Sequence, residues 1–205
     1  MKTTFALSVL FLLFSFLSPN AEAQTSESVV LEYPTKGSSE ISISLGMNTS
    51  NLADGGFGPA DDTNYFRSFA AAISYEQYLS KTWGIKARLN YDPKGFKTFF
   101  YDLKVSYITI PVMANWHFGK RKRWYLQFGP YIGVKLSDST DPTILNFEEL
   151  GSTDFGFNLG IGVKIPIGGQ MFFIESDGQS PFTPQFENDE DYTISRSMLS
   201  IGVIF

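Results

Sequence analysis

The residues of this chain that could do chemistry are few, and most are charges set among apolar neighbours. Glu76, Lys86, Arg88, Lys135, Lys164, Glu175 and Arg196 each occupy the polar side of a segment in which apolar and polar residues alternate. Opposite charges gathered on one enclosed face pair with one another, because an isolated buried charge loses its hydration and gains nothing in return. If the turn at Ser80-Lys81-Thr82 sets Leu79 against Trp83, Glu76 falls opposite Lys86 and close to Arg88. The expected chemistry is an ion-pair network of Glu76, Lys86, Arg88, Lys164, Glu175 and Arg196 that cross-braces its scaffold.

Other chemistries find little support. His117 is the single histidine, with no serine, cysteine or carboxylate close to it in sequence, so a catalytic role would need partners from other strands. It reads as an interfacial or lumen-edge residue. The composition gives Cys 0, which leaves no disulfide, no cysteine to carry a lipid and no thiolate for zinc. The run Glu187-Asn188-Asp189-Glu190-Asp191 offers oxygen ligands to a hard cation but lacks the glycine and spacing of a calcium loop, and reads as a solvated loop. Gly160, Gly162, Gly168 and Gly169 do not open a helix, so they form no nucleotide-binding fingerprint. A net charge of -5 speaks against nucleic acid as a partner. No enzyme activity, cofactor or metal is expected.

The elements that must position these charges are strands. Ile41, Ile43, Leu45 and Met47 alternate with Ser42, Ser44, Gly46 and Asn48, the period of a strand with one apolar and one polar face. The pattern recurs over Phe69 to Leu79, over Trp83 to Tyr91 before Asp92-Pro93-Lys94-Gly95 is read as a turn, and over about Phe100 to Phe118. Within the last, Leu103 and Val105 lie in the opposite phase to Ile108 and Ile110, which predicts a bulge near Tyr107 that flips the faces. Strands follow over Trp124 to Leu136, Asp154 to Ile165, less regularly over Met171 to Asp177, and over the closing stretch to Phe205. Short links alternate with long ones at Asn48 to Asn64, Ser137 to Thr153 and Gly178 to Tyr192. The expectation is an all-β, eight-stranded antiparallel up-and-down transmembrane barrel. Pro111 and Pro130 fall inside strands and should mark bulges or gaps in pairing.

A soluble barrel with an apolar interior is the competing arrangement. Three features favour lipid outside: glycines (Gly129, Gly133, Gly156, Gly160, Gly162, Gly202) crowd the polar face, Trp83, Trp116, Phe118 and Trp124 gather at the short turns, and Phe205 ends the chain in phase with the apolar face. Tyr107, Met113, Tyr125, Gln127 and Tyr131 would then fill the lumen.

Upstream, Lys2 precedes the apolar run Phe5 to Leu17, too short to span a membrane, and Ala21 and Ala23 supply the small residues a signal peptidase reads. Residues 1–23 are therefore expected to be a signal peptide cleaved before Gln24, residues 24–40 a tether and residues 41–205 the barrel.

The stretches YITIPVMANWHFG (107–119), WYLQFGPYIGVKLS (124–137), FGFNLGIGVKI (155–165), LNYDPKGF (89–96) and the closing LSIGVIF resemble the PorT-like outer-membrane β-barrel family of Bacteroidota. The resemblance runs from Ile41 onward. It implies an outer-membrane location and contact with outer-membrane lipid and lipopolysaccharide, and the even strand count returns both termini to the same, periplasmic side. It also implies insertion by the assembly machinery, which reads Phe205 together with Val203 and Ile201. The leading reading is a structural or interaction role through outward loops; the alternative is a subunit of a secretion or uptake machine with an envelope protein partner, and a lipid-modifying enzyme ranks last. N-terminal sequencing of the membrane-borne protein is expected to begin at Gln24; a chain that retains Phe5 to Leu17 would contradict the cleavage.

Overall fold

The computed structural model describes residues 35–54, 64–97, 99, 102–139, 151–184 and 192–205. The expected signal peptide with Ala21, Ala23 and Gln24, most of the tether and the acidic run Glu187 to Asp191 lie outside them. Eight strands follow one another: β1 (Ser39–Asp54), β2 (Asn64–Tyr78), β3 (Trp83–Lys97), β4 (Asp102–Phe118), β5 (Trp124–Ser139), β6 (Thr153–Ile167), β7 (Gln170–Pro181) and β8 (Tyr192–Ile204). Each pairs antiparallel with its chain neighbour and β8 closes on β1, so the sheet is a barrel with no free edge.

The pairing fixes the barrel's shape. Ser39 leads through Gln77, Ile85, Ala114, Phe128, Leu159, Gly178 and Ser197 back to Thr49 on β1, ten residues further along. With eight strands, that stagger corresponds to a tilt of about 40°. Outward residues on β5 from Trp124 to Val134 are apolar, and at this tilt they span about 25 Å along the axis, the height of a hydrocarbon band. Phe69, 81% exposed, and Leu45, Ile201 and Leu159 continue the band around the barrel. At its short-turn edge Trp83 and Trp116 stack with ring centroids 6.3 Å apart, and Phe118 lies 5.1 Å from Trp116.

Beyond the band, at the long-connection end, the polarity of the wall inverts. Outward positions become Thr49, Asn51, Arg67, Lys97, Lys104, Ser195 and Ser197, with Lys97 and Asp102 paired at 2.9 Å. Inward positions become Leu52, Phe96, Leu103, Val105, Tyr107 and Ile194, which pack into one buried apolar cluster. The strands there surround a conventional apolar core, as strands must where water replaces lipid outside. Leu103 and Val105 thus point inward in phase with Tyr107, and the expected flip of β4's faces does not occur. A register shift does fall at Ser106/Tyr107, but the extra residue is Leu136 of β5, skipped between the pairs Ser106↔Ser137 and Tyr107↔Lys135.

Two other expectations change. Asp92-Pro93-Lys94-Gly95 is not a turn: β3 runs through it, with both charges facing inward. β2 carries a bulge between Tyr65 and Ala71 at this height, so the β2–β3 ladder opens where Pro93 has no donor to give. Side chains bridge the gap. Ser50 Oγ donates to the Gly95 carbonyl at 2.8 Å and accepts from its N–H at 2.9 Å, while Ser68 Oγ donates to the Pro93 carbonyl at 2.7 Å. β7, the strand with the least regular sequence, is regular in structure; its outer face changes from Phe172 and Ile174 to Ser176, Gly178 and Ser180, which hides the alternation. Pro111 and Pro130 do sit at gaps, between the pairs Ala87↔Val112 and Asn90↔Thr109 and between Pro111↔Tyr131 and Ala114↔Phe128.

Gly129 lies within the second gap, where a Cβ would meet the backbone of Val112 and lie 2.9 Å from Met113 Cα. Since backbone cannot yield as a flexible side chain can, Gly129→Val is expected to lower the unfolding free energy in lipid by about 1–3 kcal/mol. A urea midpoint equal to that of the unchanged protein would contradict this close approach.

Candidate functional site

Inward positions alternate along every strand, and the barrel is narrow enough for side chains to fill it. Tyr107, Met113, Tyr125, Gln127 and Tyr131 are all buried, with fractional exposures of 1% or less. Glu76, Lys86, Arg88, Lys164, Glu175 and Arg196 are buried among them. Lys135, higher on β5, is only partly buried.

The geometry of the charges differs from the expected one. Glu76 is opposite Lys86 in register, yet its carboxylate pairs with His117, Nε2 to Oε1 at 2.6 Å. Lys86 and Arg88 instead cross the bore to β7. Lys86 Nζ lies 3.0 Å from Glu175 Oε2, Arg88 Nη2 bonds Glu175 Oε1, and Arg88 Nη1 lies 3.4 Å from Asp177 Oδ1. Tyr125 Oη donates to Glu175 at 2.8 Å. β3 and β7 stand diametrically opposite in a ring of eight, so these bonds staple the lumen across its width. Lys86 and Arg88 reach β7 because long side chains from facing walls of so narrow a bore meet tip to tip.

The staple continues in both directions. Towards the long connections, Arg196 joins Asp177 at 2.9 Å and Asp92 at 3.3 Å, Asn48 Nδ2 donates to Asp92 at 2.7 Å, and Lys94 meets Asp154 at 2.6 Å beneath the apolar cluster. Tyr131 Oη donates to Asp154 at 3.0 Å. Towards the short turns, Lys164 reaches Glu40 on β1 and bonds Tyr78, whose hydroxyl donates to Glu40 at 2.9 Å. His117 is fully buried here, its ring 5.1 Å from Tyr78 and 5.8 Å from Tyr125, so it belongs to the lumen rather than its edge.

Sequence reading missed Glu40, Asp92, Lys94, Asp154 and Asp177. Phase alone would have placed Asp177 beside Glu175 and Asp154 beside Gly156. Asp92 and Lys94 share the phase of Asn90 and were hidden by a turn-like composition, and Glu40 by its place before the first apolar residue. Among the described residues, no group of three or more His, Cys, Asp or Glu is arranged to hold a metal ion.

A closed eight-stranded barrel with a lipid-facing apolar band, a tryptophan belt and a charged, filled lumen defines a small transmembrane β-barrel. Residues 22–187 match the outer membrane protein beta-barrel domain, and the chain belongs to that family. Its place is the outer membrane. None of the curated proteins matches the chain. Among solved structures, outer membrane protein OprG from Pseudomonas aeruginosa is similar at 10% identity and TM-score 0.50, over 84% of this chain and 98% of that one. Ail of Yersinia pestis is similar at 16% identity and TM-score 0.46, over 83% and 100%; Neisserial surface protein A at 13% and 0.47, over 80% and 95%. The likeness to OprG concerns the fold alone.

Glu175 is the group on which most of the staple converges. Glu175→Ala leaves Lys86 without its ion-pair partner and Arg88 with only the 3.4 Å contacts to Asp177 and Gln127, and is expected to cost about 3–5 kcal/mol of unfolding free energy in vesicles. Glu76→Gln keeps a hydrogen bond to His117 and should cost less. Equal losses for the two variants would contradict the assignment of Glu175 as the centre.

Proposed function

We propose that this protein is a closed, non-conducting outer-membrane barrel whose work is done by its long connections, in a structural or interaction role and without catalysis. The observation that carries the reading is the staple between β3 and β7, since a bore crossed by Lys86, Arg88, Glu175 and Asp177 has no room for a solute. In this reading the short turns and both termini are periplasmic and the long connections face outward among lipopolysaccharide. The signal peptide is removed before Gln24, and the assembly machinery reads Phe205, Val203 and Ile201. The motifs at 107–119 and 124–137 favour a PorT-like placement, and with it a second reading as an accessory of a secretion or uptake machine with an envelope protein partner. Co-purification of such a partner in mild detergent separates the two.

Purified protein in planar bilayers is expected to show no stable large-conductance steps, and Glu175→Ala is expected to raise the frequency of brief openings. Steady porin-like conductance in the unchanged protein refutes the closed-lumen reading.

A further inference from the structure

The charge of the chain is sorted by end. The short connections at the tryptophan edge are residues 79–82, 119–123 and 168–169; they hold Lys81, Lys120, Arg121, Lys122 and Arg123 and no carboxylate. The connections at the other end, residues 55–63, 98–101, 140–152 and 182–191, hold nine carboxylates and no lysine or arginine. Among the described residues, none of the five short-turn cations forms an ion pair. Four of them are consecutive in one tight turn. Lys122 takes a positive φ of 50° within it, its N–H donates to the Gly119 carbonyl at 3.2 Å, and the Arg123 carbonyl accepts from Lys164 N–H at 2.8 Å, which ties the turn to β6.

That turn joins Phe118 to Trp124, so its cations lie immediately beyond the aromatic belt. All three tryptophans of the chain, Trp83, Trp116 and Trp124, are exposed on this one edge. Indole rings at this depth mark the boundary between hydrocarbon and headgroup, so the cations stand at the height of lipid phosphates. Guanidinium and ammonium groups there attract anionic headgroups, arginine through paired donors matched to phosphate.

We propose that the Lys120–Arg123 turn, with Lys81, is a docking surface for anionic glycerophospholipid headgroups. It concentrates such lipids around the short-turn end of the barrel. With the orientation given under Proposed function, these lipids are those of the periplasmic leaflet. The surface itself does not depend on that orientation, and a vesicle with the same lipid in both leaflets tests it separately.

The three tryptophans make the test direct, because their fluorescence reports only on this edge. The full barrel is refolded into phosphatidylcholine vesicles that contain, at equal mole fraction, either brominated phosphatidylglycerol or brominated phosphatidylcholine as quencher. Phosphatidylglycerol is expected to associate about fivefold more strongly, as one close cation–headgroup contact supplies, and the preference should shrink as salt screens it. Replacing residues 120–123 by serine should bring the ratio close to one, with folding checked by the migration of unheated protein on gels. If that variant does not fold, Arg121→Ser and the salt titration of the unchanged protein decide. Equal quenching by the two lipids overturns the proposal, as does a preference that survives the serine variant or high salt. A preference abolished by millimolar inorganic phosphate also overturns it, in favour of a soluble-anion site. So does an unchanged lipid ratio in the serine variant together with loss of an acidic envelope protein on co-purification.

Discussion

Glu175 is a carboxylate with no exposed side-chain surface inside a lipid-embedded cylinder, and two cations from the opposite wall meet it. All three side chains are buried, so each of these charges would be costly alone. The pairs satisfy one another only when β3 and β7 face each other at one separation, which happens in a closed ring with this stagger. Other barrel circumferences would bring different tips together or leave gaps between them. The lumen charges therefore fit the closed barrel as well as fill it, and the hydrogen bonds of Tyr125, Asn48 and Tyr131 occupy lone pairs that the ion pairs leave over.

The surroundings of the wall set everything else. Within the apolar band the exterior is mostly aliphatic and aromatic, and the interior combines charged, amide, hydroxyl and glycine residues with Met113, Tyr125 and Tyr131. Above it the two faces exchange character, and Leu52, Phe96, Leu103, Val105 and Ile194 close the bore as an ordinary core. The molecule is thus two short barrels in series, one built for lipid and one for water, sharing the same strands. The ladder gaps at Pro93, Pro111 and Pro130 are covered differently. At Pro93 the side chains of Asn48, Ser50 and Ser68 bond the free backbone, so the gap does not become an opening.

How much of this could be read from the chain follows from what period-two alternation encodes. It carries the faces of β1, β5, β6 and β8, and with them the closed fold, because over the stretches that alternate regularly one face of each strand is apolar and outward. It fails on β7, where Ser176, Gly178 and Ser180 stand outward, and on upper β4, where the solvent outside changes and the apolar residues turn in. Asp-Pro-Lys-Gly has the composition of a turn, but its unbroken pairing with β4 from Asp92↔Tyr107 to Gly95↔Lys104 makes it a strand, while the bulge in β2 and the bonds of Asn48 and Ser50 accommodate its other side. Register gives neighbours, so Glu76 opposite Lys86 was legible; it does not give partners across a diameter, so Glu175 with Lys86 and Arg88 was not. His117 looks peripheral in the sequence because its carboxylate partner lies 41 residues away on another strand.

The central claim is that the middle of the bore is sealed by side chains. Ser200 is a buried residue of the inner wall at the level of the staple, paired in register with Glu175, and the chain has no native cysteine. Ser200→Cys changes little in volume and gives a single thiol. In protein reconstituted into vesicles, a small charged methanethiosulfonate reagent applied to both sides is expected to leave that thiol unmodified until the barrel is unfolded. Rapid labelling of the folded protein would show a water-filled path past Glu175 and contradict the account.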